Sequence, residues 1–296
     1  GCIPTKTLLY SAKILDSFKT SSKYGISPEG TPSFDMEKII RRKNRTVKKL
    51  TSGVKMRLTS SEITIVEGTA VLNGETDGMI RIQCGNALFT VKNVLLCTGS
   101  ETVIPPIKGL SDTDYWTSRE ALDSKELPKE LAIIGGGVIG IELACTYALF
   151  GTKVTVVEMM PRLMPVMDYE LTQMAQKIME DAGIEFLLET QVLGFEAGDV
   201  GAKVVIKDKS GAESKLEAEK VLVAVGRRSN VATLNLGAAG IVTERGHVVT
   251  NDHMETNVPG VYAIGDCAGR IMLAHTASTM GEIAAENAMG SPATYD

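Results

Sequence analysis

Residues 133–158 read IIGGGVIGIELACTYALFGTKVTVVE, and this stretch decides the fold. Gly135, Gly137 and Gly140 form a G-x-G-x-x-G turn between an apolar strand and a helical pattern, and a second strand then ends at Glu158. The first glycine permits the tight turn. The second lets a pyrophosphate approach the backbone, and the third lets the helix pack close to the sheet. The helix N-terminus faces the phosphates with N–H groups and a positive dipole end. Glu158 lies roughly 20 residues past the turn, where an acid accepts from both hydroxyls of an adenosine ribose and repels a 2′-phosphate. The pattern therefore points to NAD rather than NADP. Glycine turns alone are common; the strand–turn–helix–strand–acid order gives this one its weight.

Working outward, 296 residues suggest about two domains of ~100–200 residues each. Hydrophobic content of 44% and charged content of 23% allow an ordinary core. A net charge of −5 argues against a nucleic-acid or anionic-membrane partner. No apolar run approaches the ~18 residues of a membrane span. The five cysteines are scattered without a C-x-x-C pair, and the three histidines do not stand at ligand spacing from them. Neither a metal site nor a secreted disulfide framework is expected, and a reducing, cytoplasmic setting fits.

Along the chain, helices are expected over residues 5–21, 35–60, 169–182 and 274–289, with a short one opened by a capping box at Thr117 and Glu120. Residues 25–33, rich in Gly, Pro and Ser, read as a loop. The basic residues Arg41, Arg42, Lys43, Arg45, Lys48 and Lys49 lie opposite an apolar stripe running from Met36 to Leu58. With no aromatics interleaved, they read as a solvated helix face. Strand-like runs at 63–67, 70–72, 79–83 and 88–91 suggest a meander, followed by an apolar strand, Val94 to Cys97, closing on Thr98 and Gly99. A second meander and a buried strand ending at Gly226 repeat that plan, which suggests two related nucleotide-binding lobes.

Two further constellations carry chemistry. In Gly1-Cys2-Ile3-Pro4-Thr5-Lys6, Pro4 suits the first turn of a helix. Cys2 then sits at the positive end of that helix, which favours a thiolate; a small buried filler is the plainer alternative. Near the C-terminal end, residues 260–266 read GVYAIGD, a strand closing on Gly265 and Asp266 ahead of a helix. Asp266 at a strand's carboxyl end can accept from ligand hydroxyls, or can simply cap a helix. His275 reads as a structural histidine, while His247 and His253 flank turns without a signal. Cys84, Cys97, Cys145 and Cys267 read as small apolar fillers.

Taken together, GCIPTK at the start, Thr98–Gly99, IIGGGVIGIE, VGRRSN at 225–230, and GVYAIGDCAG followed by MLAH occur in one order across nearly the whole chain. In this the chain resembles the flavin-dependent pyridine nucleotide–disulfide oxidoreductases, and within them the branch that oxidises dihydrolipoamide. The resemblance implies an α/β protein of two Rossmann-like three-layer nucleotide-binding domains, the NAD domain inserted in the FAD domain. The implied segments are 1–115 and 245–296 for FAD and 116–244 for NAD. It implies that Cys2 is the flavin-side cysteine of a redox disulfide. Lys6 would lie beside the flavin and pair with Glu142, and Asp266 would hold the ribityl chain. Thr98, Gly99, Gly226 and Gly265 would join the cofactor sites, and Gly135, Gly137, Gly140 and Glu158 would carry NAD. The implied reaction is thiol–disulfide exchange with dihydrolipoamide, electrons passing through FAD to NAD. The implied partner is a lipoyl domain of a 2-oxo acid dehydrogenase acyltransferase or a glycine cleavage carrier, and the implied parent is a homodimer. LAH and the acid at Glu158 favour this branch over NADPH-linked glutathione or mercuric reductases. A non-catalytic nucleotide-binding module is the reading from another class.

The family's partner cysteine stands five positions before Cys2, ahead of Gly1. Its first glycine turn would lie upstream, and its C-terminal dimerisation domain, with a His–Glu base, would lie beyond residue 296. Cys97 stands where the family carries alanine. The chain is therefore expected to be an internal piece of a longer enzyme, inactive in disulfide exchange by itself.

Overall fold

The computed structural model describes residues 1–27, 29–30 and 32–295. Its α-helices are α1 (Cys2–Thr20), α2 (Met36–Ser60), α3 (Ser118–Asp123), α4 (Val138–Phe150), α5 (Tyr169–Asp181) and α6 (Ala274–Ala288). The chain divides into two units: Gly1–Met56 with Val103–Gly226, and Arg57–Thr102 with Arg227–Asp296. This grouping follows packing, so α1 and most of α2 go with the sheet that carries the glycine turn. The sequence division into 1–115, 116–244 and 245–296 follows the order of cofactor motifs instead. Of the expected 25–33 loop, positions 28 and 31 lie outside the described residues.

In the first unit, the strand ahead of the glycine turn is Glu130–Ile134, the centre of a five-stranded parallel sheet. Spatial order runs Tyr115–Trp116, Lys220–Val223, Glu130–Ile134, Lys153–Val157, Glu185–Leu187. Leu131, Ala132, Ile133 and Ile134 are all buried. That is why this strand reads as a continuous apolar run: helices cover one face and the 191–218 meander the other. On the helical side, Leu143, Ala144 and Tyr147 of α4 pack with Leu8 of α1, Ile40 of α2 and Trp116. Ala12 and Leu15 of α1 close over Phe150. Tyr147 donates from its hydroxyl to the Ala121 carbonyl at 2.6 Å, so the one polar atom of this large side chain is satisfied. The capping box of α3 forms as expected: Arg119 N–H donates to Thr117 Oγ1 and Thr117 N–H donates to Glu120 Oε2.

Lys43 is 2% exposed and pairs with Asp123 at the end of α3. Removing Asp123 would leave a buried ammonium alone. We expect Asp123→Ala to cost about 2 kcal/mol, less than the roughly 3–5 kcal/mol of a fully buried pair, because water reaches the Asp123 side. Lys43→Met should change stability by less than ~1 kcal/mol. Urea unfolding checks both, and equal losses would contradict the argument.

The second unit holds a meander of Ala70–Thr76, Met79–Cys84 and Ala87–Val91, and a parallel pair, Val94–Leu96 beside Val261–Ala263. An antiparallel pair joins Ser100–Thr102 to Arg227–Ser229. Its core gathers Leu72, Ile80, Met254, Val261, Ala263, Met280 and Ile283.

Three expectations need correction. Residues 63–67 form no strand, and Ile63, Ile65 and Val66 are exposed, so the run has β-branched composition without a ladder. The apolar stripe of α2 is covered only over its first turns: Ile40 is buried, whereas Leu50, Val54 and Leu58 are exposed. Lys43, read as part of a solvated helix face, is instead buried and paired with Asp123.

Candidate functional site

The glycine turn shows why each of its positions is glycine. Gly135 has φ +110°, and a Cβ there would stand 2.5 Å from the Ala224 carbonyl oxygen. The first glycine therefore answers to the left-handed backbone and to the neighbouring strand's exit towards Gly226, itself at φ +135°. A Cβ on Gly140 would collide with the Gly135 carbonyl oxygen, so the third glycine sets how closely α4 approaches the turn. Gly137 is different: nothing lies within 4 Å of where its Cβ would be. Packing does not explain that glycine, whereas an approaching pyrophosphate does. No side chain caps α4 at Gly137, which leaves its first N–H groups for an anion.

Glu158 follows the strand Lys153–Val157 and is buried. Its Oε2 accepts from Gly136 N–H at 2.6 Å, and its Oε1 accepts from Met160 N–H at 2.7 Å. The acid thus closes the glycine turn, and each oxygen keeps a further acceptor site for a ribose hydroxyl. Arg162 is turned onto its own loop. It donates to the Pro165 and Met167 carbonyls and lies 5.8 Å from the centre of the Tyr169 ring.

The thiol end belongs to the same unit. Helix α1 begins at Cys2, an exposed cysteine, with Gly1 as N-cap and no side-chain cap. Lys6 lies four residues on, one turn along the same helix face. It forms an ion pair with Glu142 of α4, the side chains being 61% and 27% exposed. A pair that exposed contributes little to stability, so its interest is where it holds the ammonium.

In the second unit, Val94–Leu96 and Val261–Ala263 run parallel and deliver Thr98-Gly99-Ser100 and Gly265-Asp266 from their carboxyl ends. Sheets of this class bind ligands at that edge. Gly99 has φ +69° with open space at its Cβ position. Thr98 Oγ1 is buried and makes no hydrogen bond of normal geometry among the described residues. Such an orphan polar atom fits a site for a polar ligand. Asp266 accepts at Oδ2 from the Ser100 hydroxyl. Arg227 in turn donates from Nε to Ser100 Oγ at 2.7 Å and from Nη2 to the Ser100 carbonyl at 2.5 Å. The flavin and nicotinamide dinucleotides both present the phosphates and ribose or ribityl hydroxyls that these donors and acceptors suit.

The sequence profile of the pyridine nucleotide-disulphide oxidoreductases matches residues 1–281. The chain belongs to that family. It is 38% identical over 291 residues to the dihydrolipoyl dehydrogenase of Acholeplasma laidlawii, covering 97% of this chain and 83% of that protein. Identity to the dihydrolipoyl dehydrogenase of Bacillus subtilis is also 38% over 291 residues, but there the match covers 98% of this chain and only 63% of the relative. Among solved structures, LpdA from Mycobacterium tuberculosis superposes with a TM-score of 0.88 at 22% identity, covering all of this chain and 64% of that one. The HOCl-induced flavoprotein disulfide reductase RclA from Escherichia coli superposes at 0.83 with 28% identity, covering 99% of this chain and 62% of that one. The α/β class and the family read from the motifs therefore hold.

Some site residues carried no sequence signal. Ser100 followed the Thr-Gly pair unremarked, and Arg227 stood inside VGRRSN without a role. Ser229 and His247 are joined: Ser229 Oγ and His247 Nδ1 lie 2.6 Å apart. His275, read as structural, is exposed. Cys97, read as a filler, is an exposed residue whose sulfur points to the Leu95 carbonyl, and its thiol is pushed up by desolvation and then by nearby Cys267. Cys267 is buried, is likewise pushed up by desolvation, and has its sulfur 3.1 Å from both the Leu96 and Ile264 carbonyl oxygens, to one of which its single S–H donates. Burial likewise pushes the Cys145 thiol up, whereas Cys2 is exposed, so near pH 7.5 iodoacetamide should label Cys2 of the reduced protein well before Cys97, Cys145 or Cys267. Labelling of those three should accelerate as pH rises. Peptide mass spectrometry reads this out, and equal labelling of all five would contradict it.

Proposed function

We propose that the intact protein is a dihydrolipoyl dehydrogenase, oxidising dihydrolipoamide with FAD as resident cofactor and NAD as electron acceptor. The chain spans 62–64% of the length of seven curated relatives it matches, so this reading is of the longer protein. The observation that carries it is the double use of α4. Its N-terminus opens at the uncapped glycine turn, and one turn on its Glu142 holds Lys6 of the helix that begins at Cys2.

In this reading Cys2, exposed at the start of α1, is the sulfur that leaves and re-enters a disulfide during exchange with the dithiol. Lys6, oriented by its ion pair with Glu142, places a cation beside the cofactor. Asp266, with Ser100, accepts from the ribityl hydroxyls, while Thr98, Gly99 and Gly265 line the same strand ends. Bound FAD supplies the two-electron chemistry between thiol and nicotinamide, and the chain binds, orients and shields it. Gly135, Gly137, Gly140 and Gly226 shape the dinucleotide end, and Glu158 takes the ribose hydroxyls. Arg162, tied to its own loop carbonyls, offers no cation for a 2′-phosphate, which supports NAD over NADP. The proposed partner is a lipoyl domain of a 2-oxo acid dehydrogenase acyltransferase or a glycine cleavage carrier, and the proposed assembly is a homodimer. The proposed setting is reducing and cytoplasmic, as scattered cysteines without a C-x-x-C pair suggest. No helix among the described residues is long and apolar enough to cross a membrane.

The structural match to a flavoprotein disulfide reductase at 28% identity keeps a second reading in view, a reductase of the same class with another substrate. Purified intact protein should be yellow, release FAD on denaturation, and reduce an artificial dye with NADH at least ~100-fold more efficiently than with NADPH. Colourless protein, or equal use of NADPH, would overturn the cofactor assignment.

A further inference from the structure

One residue pair in the second unit does more than the flavin-site reading asks of it. Ser100 and Ser229 stand directly opposite each other in the antiparallel pair of Ser100–Thr102 with Arg227–Ser229. Opposite residues in such a pair point to the same face. Both hydroxyls reach Asp266, but at different atoms. Ser100 donates to the carboxylate at Oδ2, and Ser229 donates to the main-chain carbonyl at 2.7 Å. Each serine has an outer support: Arg227 holds Ser100, and His247 holds Ser229.

The hydrogen-bond inventory fixes the direction at His247. A serine hydroxyl has one proton, and that of Ser229 is committed to the Asp266 carbonyl. The 2.6 Å contact must then run from His247 Nδ1–H to Ser229 Oγ. The Asp266 carbonyl also accepts from Gly269 N–H at 3.2 Å, closing the short turn that bears the carboxylate. Gly269 has φ +68°, and any Cβ there would overlap the His247 ring. The ring therefore packs against the turn in space that only glycine leaves. Ser229 is buried, so neither contact is a chance surface encounter.

We propose that Ser229 and His247 are positioning residues for the flavin-site aspartate: they lock the main chain of Asp266 while Ser100 and Arg227 lock its carboxylate. This rests on the assignment of Asp266 to FAD. A carboxylate that accepts from flexible hydroxyls gains affinity only if its own turn is held before the ligand arrives.

The test uses the intact flavoprotein, stripped of flavin and titrated with FAD by fluorescence, with the melting temperature of each apoprotein measured alongside. Ser229→Ala should weaken FAD binding about 10-fold and His247→Leu about 5-fold. His247→Asn, whose side-chain amide can donate from the Nδ1 position, should return to within about 2-fold of wild type. Ser229→Ala/His247→Leu should be no weaker than Ser229→Ala alone, because the two form one chain of bonds. Wild-type affinity in the single variants, strictly additive losses, or melting temperatures that fall while affinity holds would overturn the inference and leave the flavin assignment standing. If wild-type apoprotein takes up no FAD, the flavin assignment itself fails and the inference falls with it.

Discussion

Cys2→Ser is expected to abolish dihydrolipoamide oxidation by the intact protein, by at least ~10³-fold, as losses of a nucleophile commonly do. Exchange requires a sulfur that can attack as thiolate and depart as thiolate, and a serine hydroxyl does neither near neutral pH. Cys2 is exposed, makes no part of any core cluster and begins its helix rather than supporting it. The substitution should leave the dinucleotide site unaltered. NADH-dependent dye reduction, which does not need the sulfur, should stay within about 3-fold of wild type. Comparing the two rates in one preparation checks the prediction. A serine variant that still oxidised the dithiol at a tenth of the wild-type rate would remove Cys2 from the mechanism.

Gly140→Ala should have the next largest effect, and through a different cause. The added methyl would overlap the Gly135 carbonyl oxygen, and Ile133 Cγ2 lies 3.4 Å away on the other side. Neither neighbour is the free end of a flexible side chain, so α4 must move as a body. Overpacking of this kind costs roughly 1–3 kcal/mol, and here the displaced helix also carries the turn proposed to bind NAD. The expected result is a stability loss of about 3 kcal/mol and at least ~100-fold weaker NAD binding, measured by chemical unfolding and by calorimetry. Gly137→Ala makes a useful contrast. Open space surrounds that Cβ position, so stability should change by less than ~1 kcal/mol while NAD binding still weakens. Parallel losses of stability in the two variants would contradict the separate roles given to these glycines.

Much of the first unit was legible because its signals are local. A turn that needs glycine at three places, a buried strand that is apolar throughout, and a capping box at Thr117 each leave their mark within a few residues. Lys6 and Glu142 came together only through the family resemblance; the ion pair between α1 and α4 is a tertiary fact that neither helix pattern contains. The Asp266 bracket was harder still. Ser100–Thr102 and Arg227–Ser229 are strands of three polar residues, too short for alternation to be seen, and they meet across 127 positions of chain. His247 gave no signal because its ring is used sideways, against Gly269, and not at a motif position. Residues 63–67 failed in the opposite sense: β-branched composition promised a strand, but among the described residues no ladder partner is provided.

The most direct measurement is the initial rate of NADH formation when the intact, flavin-loaded protein is given NAD and dihydrolipoamide. The account predicts turnover with that dithiol, little with reduced glutathione, and at least ~100-fold less when NADP replaces NAD. Flavin-loaded protein that forms no NADH from dihydrolipoamide, yet shuttles electrons between another disulfide and NADPH, would contradict it.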